Sequence, residues 1–202
     1  MLRRTGFAIP SWLCLALPAH AHSPFPGIEG FYVGLLHPFS TPPQALLIIG
    51  LALLVAGVAQ NRLLVSFGVF LFTTLVSLVG GLWIEDSDGL LYASAVVVSA
   101  LAALWPRPLI PVVLVMIFLA GFLIGQVSIP DPGPTRDRIV TMGGSYAGAS
   151  IGLLWLTAGA LSIKERCTQD WVQVAFRVVA AWMGAISLVM LALQFAAVEP
   201  AG

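Results

Sequence analysis

Few side chains in this 202-residue chain could do chemistry, and the set is His37, Asp88, His22, Gln44 and Gln126. His37 is the only histidine beyond residue 22. Imidazole is the commonest side-chain ligand for nickel, copper and zinc, but one ligand does not make a site. Gln44 lies seven positions on, two helical turns, and shares a face with His37 only if the chain between them keeps its helical phase. Asp88 closes the stretch Glu85-Asp86-Ser87-Asp88-Gly89. Its hard carboxylate oxygens suit the collection of hydrated divalent ions. The plainer reading is a solvated turn with Asp88 at a helix N-terminus, where negative charge is favoured. Gln126 is uncharged: it can meet a hydrated ion or a neutral polar solute but cannot neutralise a dication. Together these residues describe a polar gate or weak cation stop. The competing reading has His37 bracing a backbone carbonyl and the glutamines bonding between helices, at about 0.6 kcal/mol each. No nucleophile–base pair, Gly-rich phosphate loop or metal tetrad is legible, so nothing points to an enzyme.

The elements around His37 must therefore position it. Gly30 to Leu36 is a short apolar segment running into His37-Pro38, and three prolines fall between 38 and 43. Pro38 removes a backbone donor and biases His37 away from helical angles. Thr41 suits an N-cap and Pro42 a first helical position. The expectation is a half-helix over 28–37, a sharp elbow carrying His37, and a full span from Pro42. Broken backbone at membrane depth survives only where protein or water covers it, which is where transport sites lie.

The composition sets the class. The chain is 59% hydrophobic and 9% charged, with mean hydropathy +0.99. Soluble domains carry about 25% charged residues, so this is an all-α integral membrane protein whose first partner is the lipid bilayer. The net charge is zero, and there is no basic patch for nucleic acid. Residues 1–21 read as a cleaved signal: Arg3 and Arg4, a short apolar core, then Ala19-His20-Ala21. Cleavage after Ala21 leaves His22 as the mature N-terminus, whose amine and imidazole form a chelate suited to Cu(II) or Ni(II). A terminus without a ligand role is the alternative. Cys14 falls in the signal and Cys167 in a short loop, which excludes a disulfide in the mature chain.

Six spans follow, about 42–59, 63–83, 90–104, 109–127, 139–162 and 171–197, in a single membrane domain over 22–202. The third is short against the ~20 residues a span needs. With a cleaved signal the mature N-terminus lies outside. The inner loops then hold Arg62, Arg107, Lys164 and Arg166 and the outer ones only Arg136 and Arg138, in accord with the positive-inside rule. The C-terminus returns outside, and Glu29, Glu85, Asp86, Asp88, Asp131, Asp137 and Glu199 all face outside, forming an acidic outer mouth; an ordinary solvated acidic face is the alternative. Gly144, Gly148 and Gly152 repeat every four residues, as do Gly121 and Gly125, and Gly30 and Gly34. Small residues at this spacing let helix backbones approach closely, within a compact bundle or across a homo-oligomer.

On these residues the chain resembles the HupE/UreJ family, small bacterial membrane proteins regarded as nickel or cobalt permeases serving hydrogenase and urease. The resemblance runs over nearly the whole mature chain. It is best at Gly30-Phe31-Tyr32-Val33-Gly34-Leu35-Leu36-His37-Pro38, with a weaker match at Asp88-Gly89-Leu90-Leu91-Tyr92-Ala93-Ser94. A mature N-terminus beginning with histidine also fits. After its histidine the family has five residues and then aspartate-histidine; here the pair is Pro43-Gln44. The family's fourth span carries two histidines and a glutamate. Here the stretch Phe118 to Gln126 has leucine for both histidines and Gln126 for the glutamate.

The resemblance implies a bacterial inner-membrane permease or metal-handling protein for a divalent transition metal, nickel first, with Co2+ and Cu2+ as further cargo. Its metal-site residues would be His37, Asp88 and His22, and its pathway residues Gln44 and Gln126, along a polar seam between the first, third and fourth spans. The missing ligands favour a different class, a structural or assembly subunit that binds a membrane partner through its glycine faces. Transport of a small neutral or anionic solute is a third reading.

Overall fold

The structure is a computed structural model and describes residues 28–81, 87–167 and 169–198. The signal segment 1–21, His22, Glu85, Asp86 and Glu199 lie outside the described residues. Those residues form seven α-helices: α1 (Ile28–Ser40), α2 (Pro42–Val55), α3 (Leu63–Gly80), α4 (Ser87–Leu104), α5 (Ile110–Val127), α6 (Thr135–Arg166) and α7 (Asp170–Val198). A single 3-10 turn, Gln60–Arg62, precedes α3. There is no strand among the described residues. Five helices are long and apolar enough to cross a membrane, or six if α1 and α2 count as one bent span.

That bent pair differs from expectation in two ways. First, α1 does not stop at His37 but runs through Pro38 to Ser40, so the elbow falls at Thr41 and not at the His37-Pro38 bond. The missing N–H of Pro38 removes only one intrahelical bond. The carbonyl of His37 still accepts from Thr41 N (3.1 Å) and Ser40 Oγ (3.2 Å). Packing against α6 supplies the rest, as tertiary contact usually does for short helices. Second, α2 has only 14 residues, about 21 Å at 1.5 Å per residue. Alone it is too short for ~30 Å of hydrocarbon. The chain bends by 70° between the two helices. Thr41 supplies the break with extended backbone (φ −100, ψ 106), and its side chain makes no cap bond.

The remaining ends follow local rules. Gly81 closes α3 in the left-handed region (φ 61), which glycine enters without a Cβ penalty. Proline at the start of α5 costs no intrahelical bond. Helix α4 begins at Ser87, giving 18 residues and restoring a full span to a segment expected to be short. Helix α6 is longer than expected, at 32 residues.

The glycine repeats pack inside the bundle. A Cβ on Gly144 would strike Phe31 O, one on Gly148 would strike Leu35 O, and one on Gly152 would meet the Phe39 ring. These pairs advance together, so α1 runs alongside α6 in the same direction. A Cβ on Gly121 would strike Thr73 Oγ1, and one on Gly125 would lie 2.7 Å from both Ser77 Cβ and Thr74 O, so these glycines join α5 to α3. Any partner or second copy must therefore dock elsewhere than on these five glycines. Helix α2 is central, touching α1, α4, α5, α6 and α7, and nine of its 14 residues are buried. The core around it includes Leu47, Ile48, Leu51, Leu91, Ile117, Ile124 and Leu153. Trp155, Trp182 and Phe195 point outward, as apolar residues do in lipid.

The far end of α2 is tied down. Lys164 Nζ donates to Ala56 O at the C-terminus of α2 (2.9 Å) and lies 5.0 Å from the Phe176 ring centroid. Gln60 Nε2 donates to Glu165 Oε1 (2.7 Å). A cation is favoured where helix carbonyls are left over. Lys164→Met is expected to cost about 1–2 kcal/mol, the sum of one charge-assisted bond and one cation–π contact. Thermal unfolding in detergent should show a lower midpoint, with Lys164→Arg recovering most of it. Equal midpoints for all three proteins would mean that the tie carries no weight.

Candidate functional site

Four of the five residues singled out for chemistry meet in one cavity; the fifth, His22, lies outside the described residues. His37 comes from the last turn of α1 and Gln44 from the first turns of α2. The bend between them turns both side chains inward, and Gln44 Nε2 lies 3.2 Å from His37 Nδ1. Asp88 and Ser87 come from the first turn of α4, and Gln126 and Val127 from the last turn of α5; Thr41 and Ile129 complete the lining. The cavity measures about 250 Å³, room for about eight waters at ~30 Å³ each. Asp88 is exposed and His37 half-buried, whereas Gln44 is 0% and Gln126 5% exposed. The cavity therefore grades from a charged mouth to a floor of amides.

The orientation of the Gln126 amide follows from its neighbours. Ser77 Oγ donates to Phe122 O (2.6 Å), so toward Gln126 it can only accept. Gln126 Nε2 donates to Ser77 Oγ (3.0 Å) and lies 3.4 Å from Ser77 O. Gln126 Oε1 is then the free end, buried and without a protein partner among the described residues. Gln44 is in a similar state: Nε2 lies 3.2 Å from His37 Nδ1, and Oε1 is buried without a partner among the described residues. Buried acceptors without donors are costly. Both glutamines belong to the lining of one cavity.

The contribution of α2 to the expected polar seam ends at Gln44. Past Gln44, Leu47, Ile48 and Leu51 are each fully buried. Helix α2 has no polar side chain from Ala45 to Val55, so it cannot line a hydrophilic route toward its far end. A second, smaller pocket of about 30 Å³ lies there, lined in part by Leu54, Gly57, Lys164 and Arg177. Between the two, α2 presents apolar side chains and Gly50, which faces the buried Ser99 of α4. Arg177 Nε donates to Ala103 O near the end of α4 (2.7 Å).

Sequence reasoning missed Ser77, which orients Gln126 from another helix. No spacing rule links residues 49 positions apart. Thr41 was seen only as a cap, and Ser87 only as part of an acidic turn. Among the described residues, no three His, Cys, Asp or Glu side chains come together in a metal-holding group. Comparison with known protein families, curated proteins and solved structures returns no match to this chain.

Proposed function

We propose that this chain is a HupE/UreJ-like protein of the bacterial inner membrane, with six spans when α1 and α2 count as one, that passes or handles a divalent transition metal, nickel first. One observation carries the reading: His37, Gln44, Asp88 and Gln126, brought from four helices, line one cavity. On the topology with both mature termini outside, that cavity opens outward at Asp88. An inward-moving dication then gains about 4.6 kcal/mol per 100 mV, twice the value for a single charge. No nucleotide-binding motif is needed for such flux.

The test is nickel accumulation by cells expressing the chain. Asp88→Asn with His37→Ala is expected to bring accumulation down to the empty-vector level at unchanged protein abundance. Accumulation equal to wild type would overturn the permease reading. The buried apolar stretch of α2 with Leu47, Ile48 and Leu51 favours a second reading, a structural or assembly subunit. Affinity purification in mild detergent separates the two, because a stoichiometric membrane partner with no bound metal supports the subunit.

A further inference from the structure

Resting on that reading of the cavity, we infer that it recognises its cation through an intact hydration shell and not by direct coordination. Four features lead there. His37 Nδ1 is engaged by the Gln44 amide at 3.2 Å, which leaves at most one imidazole nitrogen, Nε2, for a metal. The Gln126 amide is held by Ser77, so its oxygen stays where it is and cannot close in on a bare ion. Direct coordination of a transition metal calls for several convergent ligands, and no three acidic, thiol or imidazole groups gather among the described residues. The volume also fits: six waters at ~30 Å³ each occupy about 180 Å³, within the roughly 250 Å³ present.

The hydrogen-bond balance points the same way. Gln44 Oε1 and Gln126 Oε1 are buried acceptors awaiting donors, and Asp88 adds a carboxylate. The first turn of α2 adds little to the donor side. Pro42 and Pro43 remove two of its four free N–H groups, which works against an anion. Helices α1 and α5 end at the cavity while α2 and α4 begin there, so the helix dipoles offset one another and the side-chain acceptors set the sign. A metal-bound water is a strong donor, and a hydrated dication presents up to twelve such hydrogens around one positive centre. The site is thus built to accept from the shell.

Hexaamminecobalt(III) tests this. It has the size and donor arrangement of a hexahydrated ion, but its ammonia ligands do not exchange, so it occupies outer-sphere sites only. The full chain in detergent is titrated by calorimetry with nickel and, separately, with hexaamminecobalt(III). The expected result is binding of both with dissociation constants within tenfold of each other, and a tenfold or greater weakening of both by Gln126→Leu. Asp88→Asn, at an exposed position, is expected to weaken both without disturbing the fold. If nickel binds and hexaamminecobalt(III) does not, the hydration-shell inference is overturned while the metal-handling reading stands. If hexaamminecobalt(III) binding survives Gln126→Leu unchanged, the inference is also overturned, since charge alone then explains it. If neither binds, both readings fall.

Discussion

Leucine in place of Gly148 is expected to unlatch α1 from α6 at a large loss of stability. A Cβ at that position lands on the carbonyl of Leu35. The obstacle is backbone, so no rotamer change relieves it, and the two helices must separate. Overpacking costs about 1–3 kcal/mol where side chains can shift, and a backbone clash exceeds that range. Folded yield in detergent, read as the monodisperse fraction on size exclusion, should fall several-fold. Gly143→Leu and Gly159→Leu are the matched controls. Nothing lies within 4 Å of a Cβ at either glycine, and surface changes of this kind stay within about 0.5 kcal/mol. Equal behaviour of the Gly148 and Gly143 variants would show that α1 does not dock where described.

The second large effect combines opposite signs. Gln44→Leu together with Gln126→Leu should make the protein more stable and less active. Each substitution removes a buried acceptor without a protein partner, whose burial costs about 1–3 kcal/mol. A gain of about 1 kcal/mol per site is expected after the lost bonds to His37 and Ser77 are subtracted. Nickel accumulation should drop at least tenfold, because the cavity floor loses both amide oxygens. Thr157→Val is the control: its hydroxyl is also buried without a partner but lies outside the cavity. It should raise the thermal midpoint and leave accumulation alone. A double leucine variant that loses stability along with activity would mean that the glutamines hold helices together and do nothing else.

How much of this was legible in the residues depends on the range of the interaction. The apolar runs and the four-residue glycine spacing are local patterns, and both predicted the elements they belong to. The break after α1 was legible as a proline cluster, but its position was not. Pro38 argued for a stop at His37, whereas docking on α6 carries the helix three residues further, and proline rules contain no term for that contact. The pairing of His37 with Gln44 depended on the phase across a 70° bend, which seven-residue spacing leaves open. The eleven-residue stretch from Ala45 to Val55 has no polar side chain, so on α2 the polar lining ends at Gln44.

Helix α2 is anchored to α6 at both ends: through Thr41 and α1 at one, through Ala56 and Lys164 at the other. It therefore cannot swing by itself. Because α2 packs on α4 more extensively than on α6, any displacement of Leu47, Ile48 and Leu51 would carry α1, α4 and α6 with it, with no hinge inside the central helix.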